Sequence, residues 1–122
     1  MSRRGKDDEQ WQAVKAIVKN RDKNLCQCCK ILTPGEWYIR NKNNYNKGML
    51  NQLDCAHIEP VSVHPDLTYD SDNIVLLCRL CHSSIDNFIN PITFEPMNKE
   101  EHAEFWKRII SSSKVSQRER DF

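Results

Sequence analysis

The sequence predicts a small α+β fold in which two short strands are flanked by helices and a metal site joins distant parts of the chain. Three observations support this prediction. Only 39% of the 122 residues are hydrophobic and 29% are charged, so the apolar core must be modest. Helical periodicity marks both ends of the chain, whereas short apolar runs bounded by turn residues occupy its middle. Two Cys-x-x-Cys pairs have the spacing of metal ligands.

Both terminal helices have signals in the sequence. Near the start, Trp11, Val14, Ile17 and Val18 recur at helical spacing behind a group of acidic residues. Near the end, Asn98 and Glu101 have the spacing of a capping box. These signals divide one expected domain, 1–122, into an N-terminal helix over about 7–22, a core over about 20–90, a C-terminal helix over about 98–111 and a polar, mobile tail over 112–122.

The core region has strand and turn signals. Residues 53–58 and 74–77 are strand-like runs separated by a turn-rich loop. A helix is predicted to begin after Cys81 and to end before Pro91, because the residue before a proline disfavours the helical conformation.

Residues 36–51 follow a predicted turn at Pro34-Gly35 and contain five asparagines. Between 30 and 53, four basic residues stand against one acidic residue. Two interpretations remain open for this segment. It is either a solvated loop or an arm that contacts nucleic acid, since amides suit base edges and basic side chains suit phosphates.

The charge balance and the apolar runs exclude several classes of protein. Eighteen Lys and Arg residues against 17 Asp and Glu residues argue against a strongly basic coat protein, so any nucleic-acid contact must come from local patches. The start lacks the apolar stretch of a signal peptide, and the longest apolar run, 74–78, is too short to cross a bilayer. We therefore expect an intracellular, cytoplasmic protein that is not secreted and does not enter a membrane. Its six cysteines are expected to bind metal rather than to form disulfides.

The strongest signal is the pair of motifs Cys26-x-x-Cys29 and Cys78-x-x-Cys81. A two-residue spacer lets a tight turn direct both sulfurs at one ion, and two such turns complete a tetrahedral site. We predict a structural zinc ion (Zn²⁺) here. Structural zinc contributes on the order of 10–16 kcal/mol in small peptides, so its removal is predicted to unfold the protein. The two remaining cysteines, Cys28 and Cys55, are not assigned to the metal.

Three stretches, "NRDKNLCQCCK", "AHIEPVS" and "SDNIVLLCRLCH", resemble the HNH (His-Me finger, ββα-metal) endonuclease family. The resemblance covers about 20–90 and rests on four cysteines, two histidines and one asparagine in the order that the family has. It implies a ββα-metal core and a metal-dependent endonuclease that hydrolyses phosphodiester bonds in DNA. The products implied are 5′-phosphate and 3′-hydroxyl ends.

The resemblance also implies roles for particular side chains. His57 would be the general base, a task suited to imidazole because it titrates near neutrality. Asn73 would bond the loop backbone and orient His57. His82 would hold a catalytic divalent cation, Mg²⁺ or Mn²⁺, and Asp86, four residues later on the same helical face, could add a carboxylate.

The sequence departs from the family pattern directly before the first histidine. Many members have a metal ligand there, and this chain has Ala56. Side chains alternate along a strand, so Asp54 shares a face with Ala56 and is predicted to be the substitute ligand. An aspartate three residues before the histidine also resembles phage junction-resolving nucleases of the endonuclease VII type. Glu59 is the fallback.

A second departure from the family pattern concerns the residues that bind phosphate. Family members commonly carry a basic residue just after the closing histidine, and "HSSIDNFIN" has none. The phosphate contacts are therefore expected from other basic residues. The candidates for nucleic-acid binding are Arg79, the 40–47 segment with Arg40, Lys42 and Lys47, the Arg3-Arg4 arm and the helix N-terminus near Ser83.

Two other functions stay open alongside a DNA endonuclease. One is a zinc-knuckle DNA-binding module that has lost catalysis through Ala56. The other is an accessory to a phage packaging motor that is active only with its partner. Cleavage of both strands would call for a homodimer, in which Trp106 and Ile110 would either form the contact face or pack on the chain's own core.

Overall fold

The structure, a computed structural model, describes residues 8–43, 47–120 and 122. Helix α1 covers Asp8–Arg21 and α2 covers Pro34–Lys42. Strands β1 (Leu53–His57) and β2 (Ile74–Cys78) follow, and α3 (Arg79–Asp86) and α4 (Lys99–Ser111) complete the order. The predicted small α+β fold of the HNH ββα-metal type, with a helix on each side of the core, is confirmed.

The two strands form an antiparallel hairpin that leads directly into α3. Leu53 lies opposite Cys78, and His57 lies opposite Ile74. Cys78 ends β2 and is also the N-cap of α3, so the helix begins without an intervening loop. The start of β1 therefore lies beside the second cysteine pair, and its end lies beside the residues that precede β2.

Apolar layers cover both faces of this hairpin. On one face, Ile74 and Leu76 of β2 pack against Val14 and Val18 of α1. Side chains alternate along a strand, so the neighbours of Ile74 and Leu76 point the other way. They join the larger cluster, which contains Ala56, Val75, Leu77, Ile85, Trp106 and Ile109.

The outer edge of β2 is closed by the segment that links α1 to the first cysteine pair. The N–H of Leu76 donates to Oδ2 of Asp22 at 3.0 Å. The N–H of Gln27 donates to the carbonyl oxygen of Leu76 at 2.8 Å. Arg21 donates to the carbonyl oxygen of Ile74 at 2.6 Å. A two-stranded sheet would otherwise expose these groups, so this edge fixes the first cysteine pair against the hairpin.

The segment 36–51 is helical over its first part, so the predicted loop is wrong there, while contact with nucleic acid stays a prediction for its exposed residues. Helix α2 begins at Pro34, and Thr33 and Glu36 form a complete capping box across its first turn. The turn predicted at Pro34-Gly35 is the first turn of this helix. The T-x-x-E pattern with proline at the first helical position was the available signal. Residues 44–46, like the predicted Arg3-Arg4 arm, lie outside the described residues.

Three further differences concern the later elements. Helix α3 begins at Arg79, three residues before its predicted start. Trp106 and Ile110 are 3% and 6% exposed, so they belong to the chain's own core rather than to a dimer face. The tail is packed rather than mobile, since Val115 is buried and the N–H of Ser116 donates to Asp72 at 3.2 Å.

We expect Asp22→Ala to destabilise the zinc-loaded protein by about 1–3 kcal/mol. The substitution leaves the buried N–H of Leu76 without its acceptor and removes the carboxylate that pairs with Arg21. The measurement is the melting temperature followed by circular dichroism. Asp66→Ala, at an exposed carboxylate, is the control; an equal loss in both variants would contradict the prediction.

Candidate functional site

The four cysteines of the two pairs lie around one point. One sulfur from each of Cys26, Cys29, Cys78 and Cys81 lies within 4.8 Å of all the others. The sulfur of Cys29 is 3.7 Å from those of Cys78 and Cys81. A tetrahedral zinc site with Zn–S bonds of about 2.3 Å has sulfurs about 3.8 Å apart. The donor set and its spacing therefore fit zinc.

Backbone hydrogen bonds of the local fold orient the first sulfur of each cysteine pair. The backbone N–H of Cys29 donates to the sulfur of Cys26 at 3.3 Å. The N–H of Cys81 donates to the sulfur of Cys78 at 3.4 Å. Each Cys-x-x-Cys turn thus directs one N–H at its own first sulfur, while the fold brings two turns from distant parts of the sequence together.

Arg40 was predicted to contact nucleic acid, and the structure contradicts this. The residue is 0% exposed. Its Nη1 and Nη2 donate to the sulfurs of Cys29 and Cys81, each at 3.2 Å. The guanidinium also lies 5.2 Å from the ring centre of Trp37. A buried side chain occupied in this way cannot reach a phosphate.

The other basic residues that were predicted to bind nucleic acid and that the structure describes lie at the surface. Lys42 and Lys47 are exposed, and the ammonium of Lys42 lies 5.5 Å from the ring centre of Tyr38. Arg79 is exposed as well, but its Nε and Nη2 donate to the two carboxylate oxygens of Asp54, each at 3.0 Å. Contact with DNA stays a prediction for these three basic residues.

His57 is the last residue of β1 and is half-buried. Its Nε2 lies 2.9 Å from the carbonyl oxygen of Thr68. A carbonyl oxygen can only accept, so Nε2 carries a proton, and in the neutral tautomer with this proton Nδ1 has the lone pair. The ring of Trp11 stacks on the imidazole with centres 5.6 Å apart and an angle of 19°. The sequence assigned Trp11 only to a helix face and gave no signal for this contact.

Asn73 is fully buried and fastens the loop that follows His57. Its Oδ1 accepts from the N–H of Glu59 at 2.8 Å, and its Nδ2 donates to the carbonyl oxygen of Glu59 at 3.1 Å. Its own carbonyl oxygen accepts from the N–H of Ile58 at 2.8 Å. These bonds fix the backbone immediately after His57; a part for Asn73 in catalysis stays a prediction.

Asp54, His82 and Asp86 form a chain of contacts between β1 and α3. Nδ1 of His82 lies 3.0 Å from Asp54, and its Nε2 lies 3.1 Å from Asp86. Two carboxylates and an imidazole are donors that Mg²⁺ or Mn²⁺ accepts. The two nitrogens of His82 face different carboxylates, however. Among residues 8–43, 47–120 and 122, the four cysteines are accordingly the only set of three or more His, Cys, Asp or Glu side chains whose ligand atoms lie around one point.

These contacts shift the pKa values of His82 and Asp54. The carboxylate of Asp86, followed by that of Asp54, raises the pKa of His82 to about 9, although burial opposes the charged form. Burial also opposes the charged form of Asp54, but hydrogen bonds from Arg79 and His82 lower its pKa below the ordinary value. A cation that bound this group would therefore displace a proton from His82 and the guanidinium from Asp54.

A groove brings the two histidines of the sequence motifs together. It has a volume of about 360 Å³ and is lined by His57, His82 and Asp86. Ile58 and Trp106 supply part of its apolar wall. The residue predicted to be the general base and a candidate cation ligand thus line one open space, which is compatible with metal-assisted hydrolysis.

A ββα unit with a four-cysteine cluster and this pair of histidines defines a class of metal-containing nuclease folds. The family model described as HNH endonuclease matches residues 26–88, just over half of the sequence. The chain belongs to the HNH endonuclease family.

Two curated relatives, each called Protein ninG, come from Escherichia phage 933W and Enterobacteria phage VT2-Sa. Each is 27% identical over 89 residues, which cover 72% of this chain. The same residues cover only 36% of each relative, so the chain matches about a third of their length. No solved structure matches the chain. Within the part of the chain that the structure describes, the helices are too short or too polar to cross a bilayer.

We expect a strong zinc chelator to unfold the protein and added zinc to refold it. The reason is that structural zinc contributes on the order of 10–16 kcal/mol, which matches or exceeds the stability of a small domain. The measurement is far-ultraviolet circular dichroism during chelator titration. Cys29→Ser should behave like the chelated protein, and Cys55→Ser, at a half-buried cysteine outside the cluster, should not. A folded spectrum after complete zinc removal would contradict the prediction.

We expect the melting temperature to decrease as the pH rises from about 6.5 to about 9, because His82 loses its proton over this range. The measurement is made without Mg²⁺ or Mn²⁺. The folded pKa of about 9 lies above the ordinary value of 6.5, so this contribution is complete below pH 6.5 and is lost as the pH rises through 9. His82→Gln should show a shallower fall. Zinc is held saturating in both proteins, and identical slopes would contradict the assignment.

Proposed function

We propose that this protein is a DNA endonuclease that hydrolyses phosphodiester bonds with the help of one divalent cation. The observation that carries the proposal is the single groove shared by His57 and His82 within an HNH family match. Hydrolysis of a phosphodiester needs an activated water and a positive charge at the leaving oxygen. The groove offers a candidate group for each requirement.

His57 is the general base in this proposal. Thr68 holds the proton on Nε2, so the lone pair of Nδ1 is the one that accepts a proton from water. Trp11 restrains the plane of the ring from one side. Asn73 fixes the backbone after His57, which keeps the base in position while charge develops on the substrate.

Asp54, His82 and Asp86 are the proposed holders of Mg²⁺ or Mn²⁺. When bound, the cation supplies charge neutralisation at the scissile phosphate and at the leaving 3′ oxygen, giving 5′-phosphate and 3′-hydroxyl ends. Ala56 is 1% exposed, packs in the core and has no ligand atom in its side chain. Asp54, on the same face of β1, is the substitute.

Arg79 has two roles in succession in this proposal. In the free protein its guanidinium occupies both carboxylate oxygens of Asp54. If Asp54 held a cation instead, the exposed guanidinium of Arg79 would be available to contact a phosphate of the DNA. Lys42 and Lys47 are further candidates for phosphate contacts, and the four cysteines hold zinc in a purely structural role.

The ion pair of Arg79 with Asp54 also supports a second candidate function. A cation site that is occupied by a guanidinium suits a nuclease that is active only with a partner, or a zinc-knuckle module that binds DNA without cutting it. The matched relatives are phage proteins, which is compatible with a phage packaging accessory. We place the protein in the cytoplasm. Symmetric cleavage of both DNA strands would need a homodimer.

We expect the wild-type protein to convert supercoiled plasmid to open-circular or linear DNA with Mg²⁺ or Mn²⁺ and not with EDTA. His57→Ala should lower the rate by about 10²–10⁴-fold, because a positioned general base contributes that much. Each variant is first shown by circular dichroism to be folded and zinc-loaded.

Asp54→Asn and Asp66→Asn form a matched pair for the cation site. The proposal requires that Asp54→Asn lose activity and need more Mn²⁺, whereas Asp66→Asn, at an exposed loop carboxylate, should cut normally. DNA binding without cleavage under any cation would favour the non-catalytic module. Activity that appears only after a second protein is added would favour the accessory function.

A further inference from the structure

Arg40 is a fully buried arginine that lies against the cysteine cluster. It comes from α2, a segment outside both cysteine pairs. Its Nη1 donates to the sulfur of Cys29 and its Nη2 to the sulfur of Cys81, each at 3.2 Å. Its Nε donates to the carbonyl oxygen of Pro91 at 2.9 Å. All three nitrogens of the guanidinium are therefore hydrogen-bonded, and none of these bonds is to a carboxylate.

The hydrogen bonds to the four sulfurs are divided between two kinds of donor. The first cysteine of each pair, Cys26 and Cys78, accepts from a backbone N–H of its own turn. The second cysteine of each pair, Cys29 or Cys81, accepts from Arg40. The guanidinium supplies the two bonds that the Cys-x-x-Cys turns do not make.

The charges of the cluster give these bonds a physical reason. Four thiolates around a divalent ion carry a net charge of −2, and burying that charge is unfavourable unless it is compensated. An isolated guanidinium is equally costly to bury, and Arg40 is 0% exposed. Each charge makes the burial of the other tolerable.

We propose that Arg40 is a component of the metal centre, whose guanidinium neutralises part of the charge of the four thiolates through hydrogen bonds to Cys29 and Cys81. Arginine suits this position better than lysine, because its planar fork reaches two sulfurs at once. Trp37, one turn earlier in α2, holds the plane of the fork. The inference depends on the cysteine cluster and is independent of whether the protein cuts DNA.

The proposal makes α2 part of the zinc site. The two cysteine pairs bind the metal directly, and Arg40 adds a third segment of the chain to the same charge cluster. Loss of zinc would leave a guanidinium buried beside thiols that no longer carry full negative charge. This uncompensated buried charge is one physical reason why loss of zinc is expected to unfold the protein.

The first test measures zinc affinity and the electronic state of the sulfurs in Arg40→Met, Arg40→Lys and Arg108→Met. Zinc affinity is measured by competition with a chromophoric chelator, and the sulfur-to-metal charge-transfer bands are measured after replacement by Co²⁺. Arg40→Met should bind zinc about 10–100-fold more weakly, the range typical when a partner of a metal ligand is removed. Its bands should move to lower energy, because a thiolate without its hydrogen bonds is a better electron donor. Arg40→Lys should recover only part of either change.

Arg108→Met is the matched control. Arg108 joins α4 to Glu36 in the first turn of α2, with Nη1 2.8 Å from Oε2 of Glu36, so its loss loosens α2 without removing a bond to sulfur. The control should leave the Co²⁺ bands in place. Equal effects of Arg40→Met and Arg108→Met on the bands, or unmoved bands in Arg40→Met, would overturn the proposal.

A second measurement uses the unaltered chain, in case Arg40→Met does not fold. Zinc is replaced by ¹¹³Cd²⁺, and scalar coupling from cadmium across N–H···S bonds is recorded by NMR. We expect coupling to the Nη protons of Arg40 in addition to the backbone N–H groups of Cys29 and Cys81. Coupling to the backbone protons without any coupling to Arg40 would show that the guanidinium does not bond the sulfurs, and the proposal would fail.

Discussion

The contact on which the structure depends is the cluster of four sulfurs, because it joins two segments that are far apart in the sequence, the first cysteine pair and the junction of β2 with α3. Cys78 and Cys81 belong to the junction of β2 and α3, where Cys78 is also the N-cap of the helix. Binding one ion at this junction fixes the direction in which α3 leaves the hairpin. His82 follows Cys81 directly, so the same restraint sets the position of the candidate cation ligand. In a chain with a modest apolar core, such a restraint replaces packing that the sequence cannot supply.

The hairpin then determines which side chains can act together. Pairing of β1 with β2 puts Asp54 near the start of α3 and puts His57 near the residues that precede β2. Asn73 holds the loop after His57 by its backbone, so the imidazole sits on a segment that is fixed at both ends. The cysteine cluster and the hairpin are consequently contiguous: Cys81 of the cluster directly precedes His82, the candidate cation ligand.

Two arginines illustrate how tertiary surroundings assign different tasks to the same residue type. Arg40 is buried against sulfurs and compensates charge inside the fold. Arg79 is exposed and forms a two-point ion pair with Asp54, which leaves it free to exchange partners. The difference follows from solvation, since water screens and weakens the exposed pair, whereas no water competes for the buried guanidinium. The sequence alone presents both as basic residues and does not distinguish these tasks.

The sequence by itself determined the features that are local or chemically specific. Cysteine spacing identified the four ligands, alternation placed Asp54 on the face of Ala56, and Asn98 with Glu101 located the start of α4. The sequence also contains a local signal for α2, the capping box of Thr33 and Glu36. The asparagine-rich stretch that follows led to the prediction of a loop instead. Only the tertiary structure decided that Arg40 is buried, that Trp11 stacks on His57 and that Arg79 covers Asp54. These contacts join residues far apart in sequence, and no local pattern encodes which distant group a polar side chain will meet.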